Sequence, residues 1–225
     1  FSVGFLIQSD TAFHIRVGRD IISRGEILTR DIYSWTVLGK HWFSHEWLWE
    51  VIAYLVYRTG GYTGLFVFTT VQVALITFLG LVLFRNSFFS KLIFLMGLFT
   101  AAYLDFIRAR PHVTAALFFL LLIALEDTKW TAKRRLINLF GLFVLFALWS
   151  NIHSSAVLGL VFLILLNCTV LRQYWFRIVV AFLASLLNPQ FIKLYYYFFK
   201  FVLPNPMTET IREGLPPNFH DRTVL

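Results

Sequence analysis

The stretch LFVFTTVQVALITFLGLVLF, residues 65–84, carries no charged side chain over 20 consecutive positions. As a helix rising about 1.5 Å per residue it would be about 30 Å long, the thickness of a bilayer's hydrocarbon core. Similar runs follow it. Residues 92–107, 113–125, 136–149, 155–171 and 178–187 are largely apolar. They are separated by polar or helix-breaking segments, among them Arg108-Ala109-Arg110-Pro111 and Asn188-Pro189. Upstream, Gly60-Gly61 interrupts a segment that begins polar at His45 and turns apolar. The chain is 58% hydrophobic with a mean hydropathy of +0.70, above the roughly 45–50% apolar content of a typical soluble domain. The expected fold class is therefore all-α, a polytopic transmembrane helical bundle.

The bundle is expected to form a single membrane domain over residues 1–225. Residues 1–7 would end a transmembrane helix, and 8–60 would form an outer loop with interfacial helices. Residues 61–187 would supply the transmembrane helices, and 188–225 an outer interfacial helix and loop. The abrupt start at Phe1 and the stop at Leu225 suggest a fragment of a longer protein. Within the first loop, Phe13, Val17, Ile21 and Ile22 recur at helical spacing among polar residues, the pattern of an amphipathic helix lying at an interface. Gly25 would close that helix.

The net charge of +8 does not call for nucleic acid. Lys and Arg gather in the cytoplasmic loops of membrane proteins. Arg85 and Lys91, then Lys129, Lys133, Arg134 and Arg135, then Arg172 and Arg177, fall on one side of the expected bundle, and this side reads as cytoplasmic. All six histidines fall on the other side, together with Asp10, Asp31, Glu46, Arg108, Arg110, Asn151 and Asp221. Such sorting points to a shared polar pocket on the non-cytoplasmic face. Cys168, the single cysteine, cannot close a disulfide within the chain and lies in an apolar run.

Several residues of that face carry candidate chemistry. Asp10 and His14 stand four apart and share one face of a helix. Asp10 reads as a general base or metal ligand, or as an N-cap. Asp31 is a second acid or a turn former. His45 and Glu46 open the next helix, where Glu46 also suits the positive helix end. Arg108 and Arg110 flank a membrane exit at the depth of a lipid phosphate, which a guanidinium binds with a planar fork; they equally suit side chains snorkelling to the headgroups. His112, Asn151 and His153 lie at helix ends, and Asn151 and His153 could hydrogen-bond either a sugar in the pocket or a neighbouring loop. His41, between Lys40 and Trp42, reads as a solvated loop residue. Trp35, Trp42, Trp47 and Trp49 suit either sugar stacking or an interfacial aromatic belt.

Taken together, several of these segments resemble one family. They are Asp10-Thr11-Ala12-Phe13-His14-Ile15-Arg16-Val17-Gly18, Thr29-Arg30-Asp31-Ile32-Tyr33-Ser34 and His45-Glu46-Trp47-Leu48, followed by Arg110-Pro111-His112, Asn151-Ile152-His153, Leu187-Asn188-Pro189 and Pro216-Pro217-Asn218-Phe219-His220-Asp221. In this order they are similar to a group of bacterial polytopic membrane proteins that resemble the GT-C glycosyltransferases, with a membrane domain like that of the lipid-linked-sugar mannosyltransferases. The resemblance implies a GT-C-like fold in the bacterial inner membrane. It implies a polyprenyl-phosphate-sugar donor and an acidic residue of the first outer loop at the reaction centre. Asp10 matches that position, and Asp31 is the weaker match. A divalent Mg or Mn ion is left open, because the first loop holds no Asp-X-Asp pair. The alternatives are a non-enzymatic scaffold of an envelope polysaccharide system, or a lipid or solute transporter.

Overall fold

The structure, a computed structural model, describes residues 9–103, 108–127, 134–169 and 175–202. The expected first span at 1–7, the basic residues Lys129, Lys133 and Arg172, the side chain of Cys168, and the tail with His220 and Asp221 lie outside the described residues. Among the described residues the regular elements are helices: α1 (Ser9–Arg24), α2 (Trp47–Leu83), α3 (Phe88–Tyr103), α4 (Pro111–Asp127), α5 (Arg135–Ile152), α6 (Ala156–Thr169), α7 (Trp175–Ser185) and α8 (Lys193–Val202). The all-helical expectation is met, with a helix at each of the six apolar runs.

Two of these helices, α2 with 37 residues and α5 with 18, are long and apolar enough to cross a bilayer. The others are shorter, from 17 residues in α4 to 10 in α8. As the sequence suggested, the helix breaks at Gly60-Gly61: Gly61 takes the non-helical values φ +58° and ψ −151°, and the two helical segments of α2 meet there at a kink. A glycine accepts this positive φ without steric cost. Pro111 opens α4, where its missing N–H falls among the groups a helix start leaves unbonded anyway.

Leu122, Leu142, Phe146, Trp149, Leu163 and Ala181 build the main core between α4, α5, α6 and α7. A second core sets Ile15 of α1 against Trp49, Ala53 and Leu65 of α2, with Ala109 and Ile152 closing it. Gln72 of α2 donates to Thr114 of α4 at 2.9 Å, satisfying two buried polar groups between these helices. At the end of the bundle opposite α1, Arg177 of α7 and Glu126 of α4 form a buried ion pair. On α3, Phe88, Phe89, Ile93, Met96 and Phe99 are all exposed. A contiguous apolar surface of this kind needs a cover, and lipid would provide one.

The α1 stripe is only partly as expected. Val17 and Ile21 are buried with Leu28 beneath Phe13, Trp42 and Trp47, while Ile22 is exposed. Ile15, off the stripe, is buried against α2. The apolar side of α1 thus packs on protein rather than on lipid. Gly18 allows the close approach: a Cβ there would stand 1.9 Å from the backbone oxygen of Glu50.

Candidate functional site

The N-terminus of α1 is fastened to the turn that precedes α4. The Thr11 hydroxyl, fully buried, donates to the carbonyl of Ala109 at 3.3 Å. One residue to either side, the Asp10 carboxylate pairs with the Arg110 guanidinium. The Asp10 side chain is half exposed (49%) and that of Arg110 is 18% exposed, so the pair opens to solvent from the acid's side. Arg108 is half-buried in the same turn.

One turn along α1, His14 faces the start of α2. Its Nδ1 lies 3.5 Å from Glu50 Oε1, and its Nε2 lies 3.9 Å from Glu46 Oε2. The indole of Trp49 meets the His14 ring edge-on at 5.1 Å. Glu46 is the N-cap residue of α2, but its side chain makes no cap bond. It turns instead into a group of imidazoles. Its Oε1 is 3.5 Å from Nε2 of His45 and 3.5 Å from Nε2 of His153. Burial raises the Glu46 carboxyl above its ordinary range, against the opposing pull of His45 and His14.

His153 follows the last residue of α5. Its Nδ1 accepts the backbone N–H of Ser155 at 3.1 Å and lies 2.7 Å from the Ser155 hydroxyl. An Nδ1 that accepts a backbone N–H carries no proton, so the neutral ring bears its hydrogen on Nε2. That hydrogen faces Glu46. Burial, together with His45, His112 and His14, pushes the His153 pKa down to about 3. At neutral pH His153 is thus an uncharged donor directed at a buried acid.

The remaining candidates separate. Asp31 does not join this group. Its carboxylate accepts the backbone N–H groups of Tyr33 and Ser34, both at 2.8 Å, and the Ser34 hydroxyl. These bonds hold it below the usual carboxylate range. Of the two readings of Asp31, these bonds are those of a turn former. Asn151 is also engaged structurally. Its Oδ1 accepts Trp47 Nε1–H at 2.7 Å, while its Nδ2 donates to the carbonyls of Ala147 at 2.7 Å and Leu187 at 2.9 Å. His112 is half-buried in the first turn of α4 and acts on His153 electrostatically. His41 is exposed and forms a bridge with Arg30, away from the imidazole group.

Two contributors escaped the sequence reading. Glu50, 4% exposed, braces His14 and lies 3.4 Å from the Ser44 hydroxyl. Ser155 joins His153 to the Trp149 indole, which donates to its hydroxyl at 3.1 Å. The signal for Glu50 was its place four residues after Glu46, within an otherwise apolar helix start.

Mg and Mn favour oxygen donors; around His14 these are Glu46 and Glu50, beside the imidazoles of His45 and His153, while Asp10 is paired with Arg110. Among the described residues, no three His, Cys, Asp or Glu side chains are arranged to hold a metal ion. No protein-family model, no curated protein and no solved structure matches this chain.

Proposed function

We propose that this chain is an integral-membrane glycosyltransferase acting on the non-cytoplasmic face of a bacterial inner membrane. It moves a sugar from a polyprenyl-phosphate donor to an acceptor hydroxyl. The observation that carries the reading is the Asp10–Arg110 pair. It joins an acid able to take a proton and a guanidinium able to hold a phosphate, half open to solvent, at the end of a bundle with membrane-length helices.

Asp10 takes the acceptor's hydroxyl proton as the acceptor oxygen attacks the anomeric carbon. The bond from that carbon to the phosphate oxygen breaks, and the lipid phosphate leaves with the electron pair. Arg110, with Arg108 beside it, stabilises the charge on the leaving phosphate. In the free protein Arg110 is held by Asp10. A donor phosphate competes for the guanidinium and so frees the carboxylate to receive the acceptor's proton. His14, Glu46, His45 and His153 form the wall beside this pair, and Trp49 backs His14.

The buried ion pair of the bundle, Arg177 with Glu126, lies at helix ends. Coupled transporters place ionisable groups within their spans, so this arrangement favours the enzyme over transport. The test is transfer of labelled sugar from a polyprenyl-phosphate donor by purified protein in lipid. Asp10→Asn is expected to abolish transfer while the protein still inserts. Full activity in that variant would remove Asp10 from the reaction.

A further inference from the structure

The loop between α1 and α2 ends in a rigid apolar tip. Arg30 and His41 form an antiparallel bridge at its base. The Asp31 N–H donates to the Lys40 carbonyl, and the Gly39 N–H donates to the Asp31 carbonyl, each at 2.8 Å. Gly39 supplies the required left-handed backbone with φ +79°. The Asp31 carboxylate, bonded to Tyr33 and Ser34, braces the loop from within. This framework holds Trp35 at 98% exposure and Leu38 at 68%, with Val37 beside them. A large indole held fully in water at the end of a braced loop needs a partner outside the fold.

The charge around the tip identifies that partner. In the sequence, acids and bases of this loop nearly balance, but the fold separates them. Asp20 and Asp31 are buried. Asp20 is bound by Arg16 at 2.9 Å and by the Tyr33 hydroxyl at 3.0 Å. Arg16, Arg19, Arg24, Arg30 and Lys40 are exposed, and across residues 9–46 the acid exposed to the same degree is Glu26. The outward surface is therefore basic. Next to the tip in sequence, the Phe43 ring packs tilted against Tyr197 of α8, with centroids 3.9 Å apart. Helix α8 exposes Tyr196 and Phe199, with Lys193 and Lys200 also exposed.

We infer that the 35–40 tip and α8 form one lipid-docking surface, with Trp35 and Leu38 entering the interface of an anionic bilayer and Arg30 and Lys40 on its headgroup phosphates. Aromatic side chains favour that depth, and each base near an anionic surface strengthens binding about fivefold. The surface would fasten the loop that carries Asp31 to the same membrane that supplies the lipid-linked donor. It depends on the membrane location proposed above and is independent of the transfer chemistry.

The test uses the full chain with Cys168→Ser, the one native cysteine removed, and a single cysteine placed at Trp35 or at Phe99 of α3. Each is labelled with an environment-sensitive fluorophore and reconstituted into phosphatidylcholine vesicles, with and without phosphatidylglycerol. Nitroxide lipids serve as quenchers. The label at position 35 is expected to shift to the blue and to be quenched at headgroup depth, more strongly with phosphatidylglycerol. Arg30→Ala with Lys40→Ala should remove most of that lipid dependence. A label at 35 that stays in water while the one at 99 is quenched overturns the docking surface and leaves the membrane location standing. If neither is quenched, both fail. Shielding at 35 that requires a high protein-to-lipid ratio makes the occupant a second copy of the chain and also overturns the proposal.

Discussion

Asp10 and Arg110 stand 100 positions apart in the sequence and meet as an ion pair. Helix α1 delivers the acid in its first turn, and Pro111 fixes where α4 starts, so the arginine just before it lies over that turn. Thr11 and Ala109 bond beside them.

Separating stability from chemistry at this pair takes a charge exchange. Asp10 is half exposed, so the pair itself contributes about 1 kcal/mol or less. Asp10→Arg combined with Arg110→Asp should keep thermal stability near that of the wild type while losing transfer entirely. Donor binding should fall in Arg110→Ala, read as a raised KM for the polyprenyl-phosphate sugar. An unchanged KM would take Arg110 away from the phosphate.

Asn151 ties three parts of the bundle together through Trp47, Ala147 and Leu187. Asn151→Leu removes the bonds to the half-buried Trp47 N–H and to the Leu187 carbonyl, at about 0.5–1.5 kcal/mol each. Trp47→Phe removes one partner and should cost less. A lower Tm with unchanged donor and acceptor KM is expected for Asn151→Leu. A raised acceptor KM at native stability would return Asn151 to the sugar site.

The helical class was legible because apolar runs are a local property of sequence. The same locality explains what stayed open or was missed. Asp31 read as a second acid or a turn former, because a carboxylate bonded to its own loop differs from a catalytic one only in three dimensions. Ile15 looked out of place on the α1 stripe because a single-faced helix was assumed, whereas α2 embraces α1 over a wider arc. Glu50 was not singled out within the 8–60 outer loop, yet its carboxylate braces His14 from across the helix contact. The Asp10–His14 spacing did put both on one side of α1, but their partners, from α4 and α2, were set by packing between distant segments.

The crossing of α1 over α2 depends on Gly18. With a Cβ meeting the Glu50 carbonyl at 1.9 Å, Gly18→Ala must push the helices apart, and overpacking of this kind costs about 1–3 kcal/mol. Because the clash is at Glu50, His14 loses its brace as well. A reduced Tm together with reduced turnover is expected. Gly97→Ala is the control: its Cβ would meet nothing within 4 Å, and helix propensity alone predicts a neutral to slightly stabilising change. Equal behaviour of the two variants would refute the close crossing.

Acid should expose the opposition between His153 and Glu46. The His153 pKa falls from 6.5 to about 3 in the folded protein, so the unfolded chain binds the extra proton first. Its uncharged state is matched in both forms above about pH 6.5, and stability is lost progressively as pH falls from there towards 3, with a ceiling under about 5 kcal/mol. Glu46 has the reverse sign. Its raised pKa means that the folded state takes up a proton first on acidification, so stability returns as pH falls through the folded value towards 4.5. The two effects oppose each other in the wild type. His153→Gln removes the first and leaves the second, so its Tm should rise relative to the wild type as pH drops from 7 to 5. Glu46→Gln should do the opposite, steepening the acid loss. Tm measured against pH for the three proteins checks both signs at once, and a difference between wild type and His153→Gln that stays flat over this range would mean that His153 is not held neutral by its surroundings.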